Sequence, residues 1–315
     1  MVEPPQSSPL SASGIADTST ESIELLSASL LDDERPLVTT FRALANELNI
    51  GLGWHYLLDL AWIASRLGDV SQKTILDAGA GWGVMQWYLC NAGATVISVD
   101  RSSRSNLSVR FRARYPVEGL RTSDLRPLPA TVLRELARDR LLPRSVGRQL
   151  RNAAEALRAR SLSTGRVVVY NQDLRTLGDL DTNTIDEVVA VSALEHNPPD
   201  ELPDVIAELR RVLRPSGRIL ATLGAARDKD WFHEPSQGWC YTETTLRRLF
   251  SINPSTASNY TRYDAILDGI RDSAELRDNL AAFYFSSGSN GMPWGIWNPQ
   301  YLSVGVMTNA SPERQ

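Results

Sequence analysis

Cysteine, histidine and lysine are all scarce in this 315-residue chain: it holds two cysteines (Cys90, Cys240), three histidines (His55, His196, His233) and two lysines (Lys73, Lys229). Two cysteines exclude a disulfide scaffold and a cysteine-only zinc centre. The three histidines are far apart in sequence, so no metal is expected. Met1-Val2-Glu3-Pro4-Pro5 offers neither a basic start nor an apolar run, which argues against a signal peptide. Long apolar runs are missing too. The uncharged stretch from Asn279 to Pro312 is broken by Ser286, Ser287, Asn290, Pro293, Asn298 and Pro299, well short of the ~20 apolar residues that span a bilayer. With 42% hydrophobic and 22% charged residues, the composition is that of a globular protein, expected to be cytoplasmic.

The net charge of −4 conceals an asymmetry: Arg101 to Arg160 holds 15 arginines against 5 carboxylates. Codon bias, a solvated helix face or an anionic partner would each explain it. No nucleic-acid-binding module is recognisable and the pI is about 5.5, so nucleic acid is not the expected partner.

Periodicity divides the chain. Residues 1–35 are rich in Ser, Pro, Thr and acidic residues and read as a disordered tail. Residues 36–72 read as a helical cap: Leu37, Phe41, Leu44, Ala45 and Leu48 recur at helical spacing, followed by a second helix over Tyr56, Leu57, Leu60, Ala61, Ile63 and Ala64. From 73 to 310, short Val/Ile runs alternate with helices, which indicates a doubly wound, mostly parallel sheet covered on both faces. Two long insertions, about 101–165 and 254–299, interrupt it. Val146, Leu150, Ala153 and Leu157 predict an amphipathic helix within the first. Additions of this length are usually lids or binding loops.

The densest signal is Asp77-x-Gly79-x-Gly81-x-Gly83, directly after the strand Thr74-Ile75-Leu76-Asp77 and before a helix. Glycine permits positive φ and a close backbone approach, and a helix N-terminus favours an anionic group. A dinucleotide fingerprint would put its third glycine at position 84, where this chain has Val84. Asp100 ends the second strand, where a carboxylate accepts hydrogen bonds from ribose hydroxyls. Asn171-Gln172-Asp173-Leu174 follows the third strand and Ser192 the fourth.

In these motifs the chain resembles the class I S-adenosylmethionine-dependent methyltransferases, in the small-molecule branch that includes quinone and sugar methyltransferases. Ile75 to Gly83 resembles their first motif, Val99-Asp100 the second, Asn171 to Leu174 the adenine-binding motif, Val191 to His196 the motif after strand four, and Leu209 to Gly217 the turn before strand five. The resemblance implies a seven-stranded Rossmann-like sheet and S-adenosyl-L-methionine as cofactor. It also implies a cofactor site of Asp77, Gly79, Ala80, Gly81, Asp100, Arg101, Gln172, Asp173, Leu174 and Ser192. In it Asp77 and the backbone of Gly79 and Ala80 hold the methionine part, Asp100 the ribose, and Asp173 with Leu174 the adenine.

The acceptor is expected to be a small molecule, a sugar or another secondary metabolite. Methyl transfer asks mainly for alignment and exclusion of water, plus a base where the acceptor must lose a proton. His196, after strand four, is the candidate base; with Glu195 it could instead shape the turn. His55 and Tyr56 in the cap, and His233 and Trp239 after strand five, are the candidate acceptor contacts. Asn197-Pro198-Pro199-Asp200 lacks the aromatic of an N-P-P-Y motif and reads as a loop. Two other functions fit parts of the pattern. A nicotinamide-dependent sugar epimerase or oxidoreductase is one, although no Tyr-x-x-x-Lys pair is present. A non-catalytic S-adenosylmethionine-binding protein is the other.

Overall fold

The structure, a computed structural model, describes residues 21–138, 146, 147, 151, 154 and 165–310. The tail expected over residues 1–20, and most of the helix expected around Leu150, Ala153 and Leu157, lie outside the described residues.

β-Branched residues restrict χ1 and suit a pleated, buried surface. Their runs form the inner strands: β2 (Thr74–Ala78), β3 (Thr95–Asp100), β5 (Arg166–Asn171), β6 (Ile185–Val191) and β7 (Leu213–Ala225). With β1 (Ser22–Leu25), β4 (Val117–Gly119), β8 (Trp231–His233), β9 (Gly238–Tyr241) and β10 (Leu302–Asn309) they make one ten-stranded sheet. Its order is β1-β10-β7-β6-β2-β3-β5-β4, with β9 beside the end of β7 and β8 beside β9. Neighbours from β7 to β4 run parallel, whereas β10 is antiparallel to both β7 and β1.

This is the doubly wound α/β architecture expected, with ten strands in place of seven. The additional strands are short and come from segments without strong alternation. Ser22–Leu25 is one of them: Ile23 and Leu25 are buried against β10. The helix α1 (Leu30–Asp33) follows it. The expected tail boundary at residue 35 is therefore corrected; a buried Ile-x-Leu pair is enough to anchor an edge strand.

Helix α2 (Arg35–Leu48) buries Val38, Phe41, Leu44, Ala45 and Leu48, and ends at Asn49 in the left-handed conformation (φ 48°). Helix α3 (Tyr56–Leu67) is buried on nearly every side and packs on β10, β6 and β7. At Gly305 of β10 a Cβ would stand 2.3 Å from the Trp62 ring, so glycine is what lets this indole lie flat on the sheet. The segment expected as a cap thus covers one face of the sheet.

The first insertion contributes α5 (Val109–Arg114), the edge strand β4 and α6 (Leu128–Arg138). Helix α7 (Leu202–Val212) leads into β7, and α8 (Glu243–Phe250) follows β9. The second insertion holds α9 (Tyr263–Arg271), α10 (Ala274–Asp278) and short turns before β10. Because β2 is flanked by β3 on one side and β6 on the other, the strand order reverses there, and ligands of open α/β sheets bind at such a switch point.

Candidate active site

At that switch point lies a cleft of about 1180 Å³ lined by Asp77, Gly79, Ala80, Gly81, Asp100, Arg101, Asp173, Leu174, Ser192 and His196, among others. Gly79 (φ 72°) and Gly81 (φ 46°) turn the chain from β2 toward the helix α4 (Met85–Asn91). A Cβ on Gly79 would lie 2.5 Å from the Ala193 Cβ, so this position has neither the backbone freedom nor the space for another residue.

The loop is held from beneath. The Gly81 N–H donates to Asp100 Oδ2 at 2.8 Å, and the Ser102 N–H donates to Oδ1 at 2.7 Å. The Ala80 N–H is committed to Val99 O and its carbonyl accepts from Gly83, so the Ala80 backbone expected to meet the ligand is occupied within the fold. Gln86 Nε2 donates to Gly83 O, and Ser98 Oγ to Gln86 Oε1. Arg104, 1% exposed, donates to Ser98 Oγ and O and reaches Gly81 O and Tyr170 O, both at 3.4 Å. It fastens the tips of β3 and β5 to the loop. Burial lowers its pKa against the charges of Asp100, Asp77 and Asp124.

Asp77 is the electrostatic centre of the cleft. It is 2% exposed, and its Oδ2 has no hydrogen-bond partner among the described residues. Burial raises its pKa to about 7; Arg104 opposes this and Asp100 adds to it. A buried acceptor lacking a partner suits a cationic ligand group, and the ammonium of the methionyl part of S-adenosylmethionine is one. Asp173 is clamped by Arg175, with Nε 3.0 Å from Oδ1 and Nη2 2.9 Å from Oδ2. That hydrogen bonding depresses its pKa against a smaller effect of burial. Gln172 is a correction: it is absent from the lining, because its Nε2 turns onto Thr176 O (2.7 Å) and Oγ1 (2.8 Å). Trp82 stays 50% exposed at the cleft.

A second cavity of about 330 Å³ adjoins the first, sharing Gly51, Tyr56, Ser192 and His196 with it. The structure brings His55, Tyr56, His233 and Trp239 together around it, with Glu195, Tyr284, Asn290, Gly291 and Tyr301. His196 Nδ1 donates to Gln237 O at 2.9 Å. A carbonyl can only accept, so in the neutral ring Nε2 carries the lone pair. Ser192, held at φ 45° by its N–H to Thr222, donates through Oγ to Glu195 Oε1 at 2.6 Å. His55 Nδ1 lies 2.6 Å from Asp59 Oδ2, Asp59 Oδ1 accepts from Ser303, and His55 Nε2 lies 3.3 Å from Tyr301 Oη. Burial opposes protonation of His55, but the charges of Asp59 and Glu195 and the bond to Asp59 together raise its pKa.

Arg104, Gln86, Asp59 and Glu195 were not singled out from sequence as site residues. Asp59 had a legible signal, being four residues after His55 on one helix face. Glu195 is adjacent to His196. Arg104 had none beyond its place in an arginine-rich run.

Residues 145–221 match the family model described as a methyltransferase domain. No curated protein matches. Among solved structures, the chain is similar to geranyl diphosphate C-methyltransferase from Streptomyces coelicolor A3(2), at 14% identity over 92% of this chain and 91% of that one, TM-score 0.47. It is similar to the [4+2]-cyclase SpnF at 15% identity, over 90% and 96%, TM-score 0.47. It is also similar to the 1,6-didemethyltoxoflavin-N1-methyltransferase of Burkholderia thailandensis, at 18% identity over 71% and 76%, TM-score 0.40. The family match takes in β5, β6 and the start of β7, the strands whose tips carry Asp173, Ser192 and His196; over that stretch the chain is similar to a methyltransferase domain.

Proposed function

We propose that this protein transfers a methyl group from S-adenosyl-L-methionine to a small-molecule acceptor held in the 330 Å³ cavity. The observation that carries the reading is the junction: a large cleft at the switch point opens onto a small, aromatic-walled cavity, and Tyr56, Ser192 and His196 belong to both. The volume of the second cavity suits a small molecule, near the lower end of the ~300–1,000 Å³ usual for ligand sites, and is far too small for a nucleic acid.

When bound, the cofactor supplies an activated sulfonium methyl. The chain's own residues position the partners and exclude water. Asp77 pairs with the ammonium, Asp100 accepts from the ribose hydroxyls, Asp173 and Leu174 receive the adenine, and Gly79 and Gly81 allow the close approach. His196, its Nδ1–H fixed on Gln237 O, presents Nε2 at the junction as the base for an acceptor that must lose a proton. His55, Tyr56, His233 and Trp239 contact the acceptor. Both cysteines are buried and neither is in a disulfide, and among the described residues no helix is long and apolar enough to cross a membrane; both suit a cytoplasmic enzyme.

Calorimetry with S-adenosylmethionine and S-adenosylhomocysteine tests the reading. Both should bind, NADH should not, and Asp100→Ala should weaken binding at least tenfold. Wild-type affinity in Asp100→Ala would refute the site. Binding with no product across a broad acceptor panel would favour the non-catalytic alternative.

A further inference from the structure

The large cleft has more room and more charge than its sheet side accounts for. At about 1180 Å³ it exceeds the ~300–1,000 Å³ usual for a single small ligand. Its sheet side carries the carboxylates Asp77, Asp100 and Asp173, whereas the wall contributed by the first insertion carries Arg110, Arg134 and Arg138 against one carboxylate, Glu135. Arg101 also lines the cleft, but it lies close enough to Asp173 to help lower its pKa and so belongs with the acidic side.

Two helices make the basic wall. Thr131, Arg134, Glu135 and Arg138 of α6 all line the cleft, and their spacing of three, four and seven residues puts them on one helix face. Helix α5 is tied to that face. The Val109 N–H donates to Glu135 Oε1 at 3.0 Å, and buried Arg112 donates through Nη1 to Thr131 Oγ1 at 3.4 Å. Arg110 and Arg134 are the chain neighbours of the bonded Val109 and Glu135, and both line the cleft.

The three arginines are exposed to it with little to neutralise them. Arg134 Nη1 donates to the neutral amide oxygen of Asn106 at 2.6 Å, and the Arg110 guanidinium lies over the Phe111 ring, 4.6 Å from its centroid. Among the described residues none of the three has a carboxylate within ion-pair distance, whereas nearby Arg114 pairs with Glu47 and Arg121 with Asp124. A cleft lined by one sign of charge concentrates ions of the other, and the planar fork of a guanidinium matches phosphate oxygens. The cofactor brings one carboxylate, fewer anionic charges than this wall can hold.

We propose that the insertion wall is a second ligand site, at which Arg110, Arg134 and Arg138 bind a phosphate dianion, free or as the monoester of a small molecule. The inference rests on the methyltransferase reading only in assigning the acidic side of the cleft to the cofactor.

Calorimetry on the full chain, with and without saturating S-adenosylhomocysteine, tests it with phenyl phosphate, phenol and inorganic phosphate. Phenyl phosphate should bind at least tenfold more tightly than phenol, both with and without S-adenosylhomocysteine. Tighter binding of phenyl phosphate than of inorganic phosphate identifies a monoester as the ligand, and the reverse identifies the free ion. The triple variant Arg110→Gln, Arg134→Gln, Arg138→Gln should lose at least tenfold in affinity for the tighter phosphate. Arg248→Gln, Arg262→Gln, Arg277→Gln, which removes the same charge from residues outside the cleft, should change it less than twofold. Arg138→Gln alone, in the last turn of α6, should cost at least threefold and locates the site even if the triple variant fails to fold. Phosphates bound no better than phenol, affinity unchanged in the cleft variants, an equal loss in the outside triple, or displacement of the phosphate by S-adenosylhomocysteine would each overturn the proposal. Failure of S-adenosylhomocysteine to bind would strike the methyltransferase reading alone, since the probes are also compared on the protein without it.

Discussion

The two cavities are built in opposite ways. The sheet side of the large cleft is made of residues that follow one another along the chain, Asp77 to Val84 after β2, Asp100 to Ser102 after β3, Asp173 and Leu174 after β5, while its other walls come from residues 49–60, 106–111, 131–138 and 191–197. Its geometry is fixed by hydrogen bonds within and between those loops, from the backbone and from the side chains of Asp100, Gln86 and Arg104. The small cavity draws on segments around residues 51–56, 192–196, 233–240, 283–291 and 301, which only the closed sheet and the second insertion bring together. The first is therefore a property of local motifs on a generic sheet. The second depends on long-range packing.

That contrast can be broken in several ways. The largest effect belongs to the packed cavity. Asp59→Ala leaves buried His55 without the carboxylate that is hydrogen-bonded to it, and breaking a buried pair costs ~3–5 kcal/mol of stability, measurable by urea unfolding. The folded-state pKa of His55 is raised. Its contribution is accordingly complete below the ordinary value of ~6.5 and is lost as pH rises through the raised value. Wild type should show that loss, and Asp59→Ala should not.

Next comes the loop. In Gly79→Ala, positive φ and a 2.5 Å approach to Ala193 Cβ should cost S-adenosylhomocysteine at least 100-fold in affinity, with modest change in melting. Near-wild-type affinity would mean that the loop yields.

Asp77→Asn should be milder, about tenfold in affinity, and should remove a pH dependence. With Asp77 raised to about 7 by burial, the ionised form that pairs with an ammonium accumulates as pH rises, so affinity should climb between pH 6 and 8 in wild type. For stability the sign is reversed. The native state holds this proton above the ordinary carboxylate range, so the Asp77 contribution falls as pH rises from ~4 toward 7. The smallest effect is expected of Trp82→Ala. Half exposed at the cleft, it should change stability by no more than ~0.5 kcal/mol and cofactor affinity by less than tenfold.

The sheet was legible because its inner strands are buried on both faces and so carry near-continuous apolar runs rich in Val and Ile. Strands β1, β4, β8 and β9 were not, because three or four residues carry too little periodicity and are stabilised by the neighbour they pair with. Asp77, Gly79 and Asp100 could be placed at the cleft because they stand at or just beyond the ends of legible strands. Gln172 shares a motif with Asp173, yet its amide found Thr176 closer to hand, a local competition that spacing does not reveal. Arg104 reads as one arginine among fifteen until the structure shows it buried beneath the glycine loop.

Sequence alone, then, determined a doubly wound sheet, the place of its switch point, and the carboxylates and glycines that line the cleft there, since each follows from short-range pattern and backbone geometry. Only the tertiary structure decided that Glu195 accepts from Ser192, that Asp59 holds His55, and that Gly238 makes room for Glu195. Those facts depend on which side chains meet once distant segments have packed, and no local pattern encodes that.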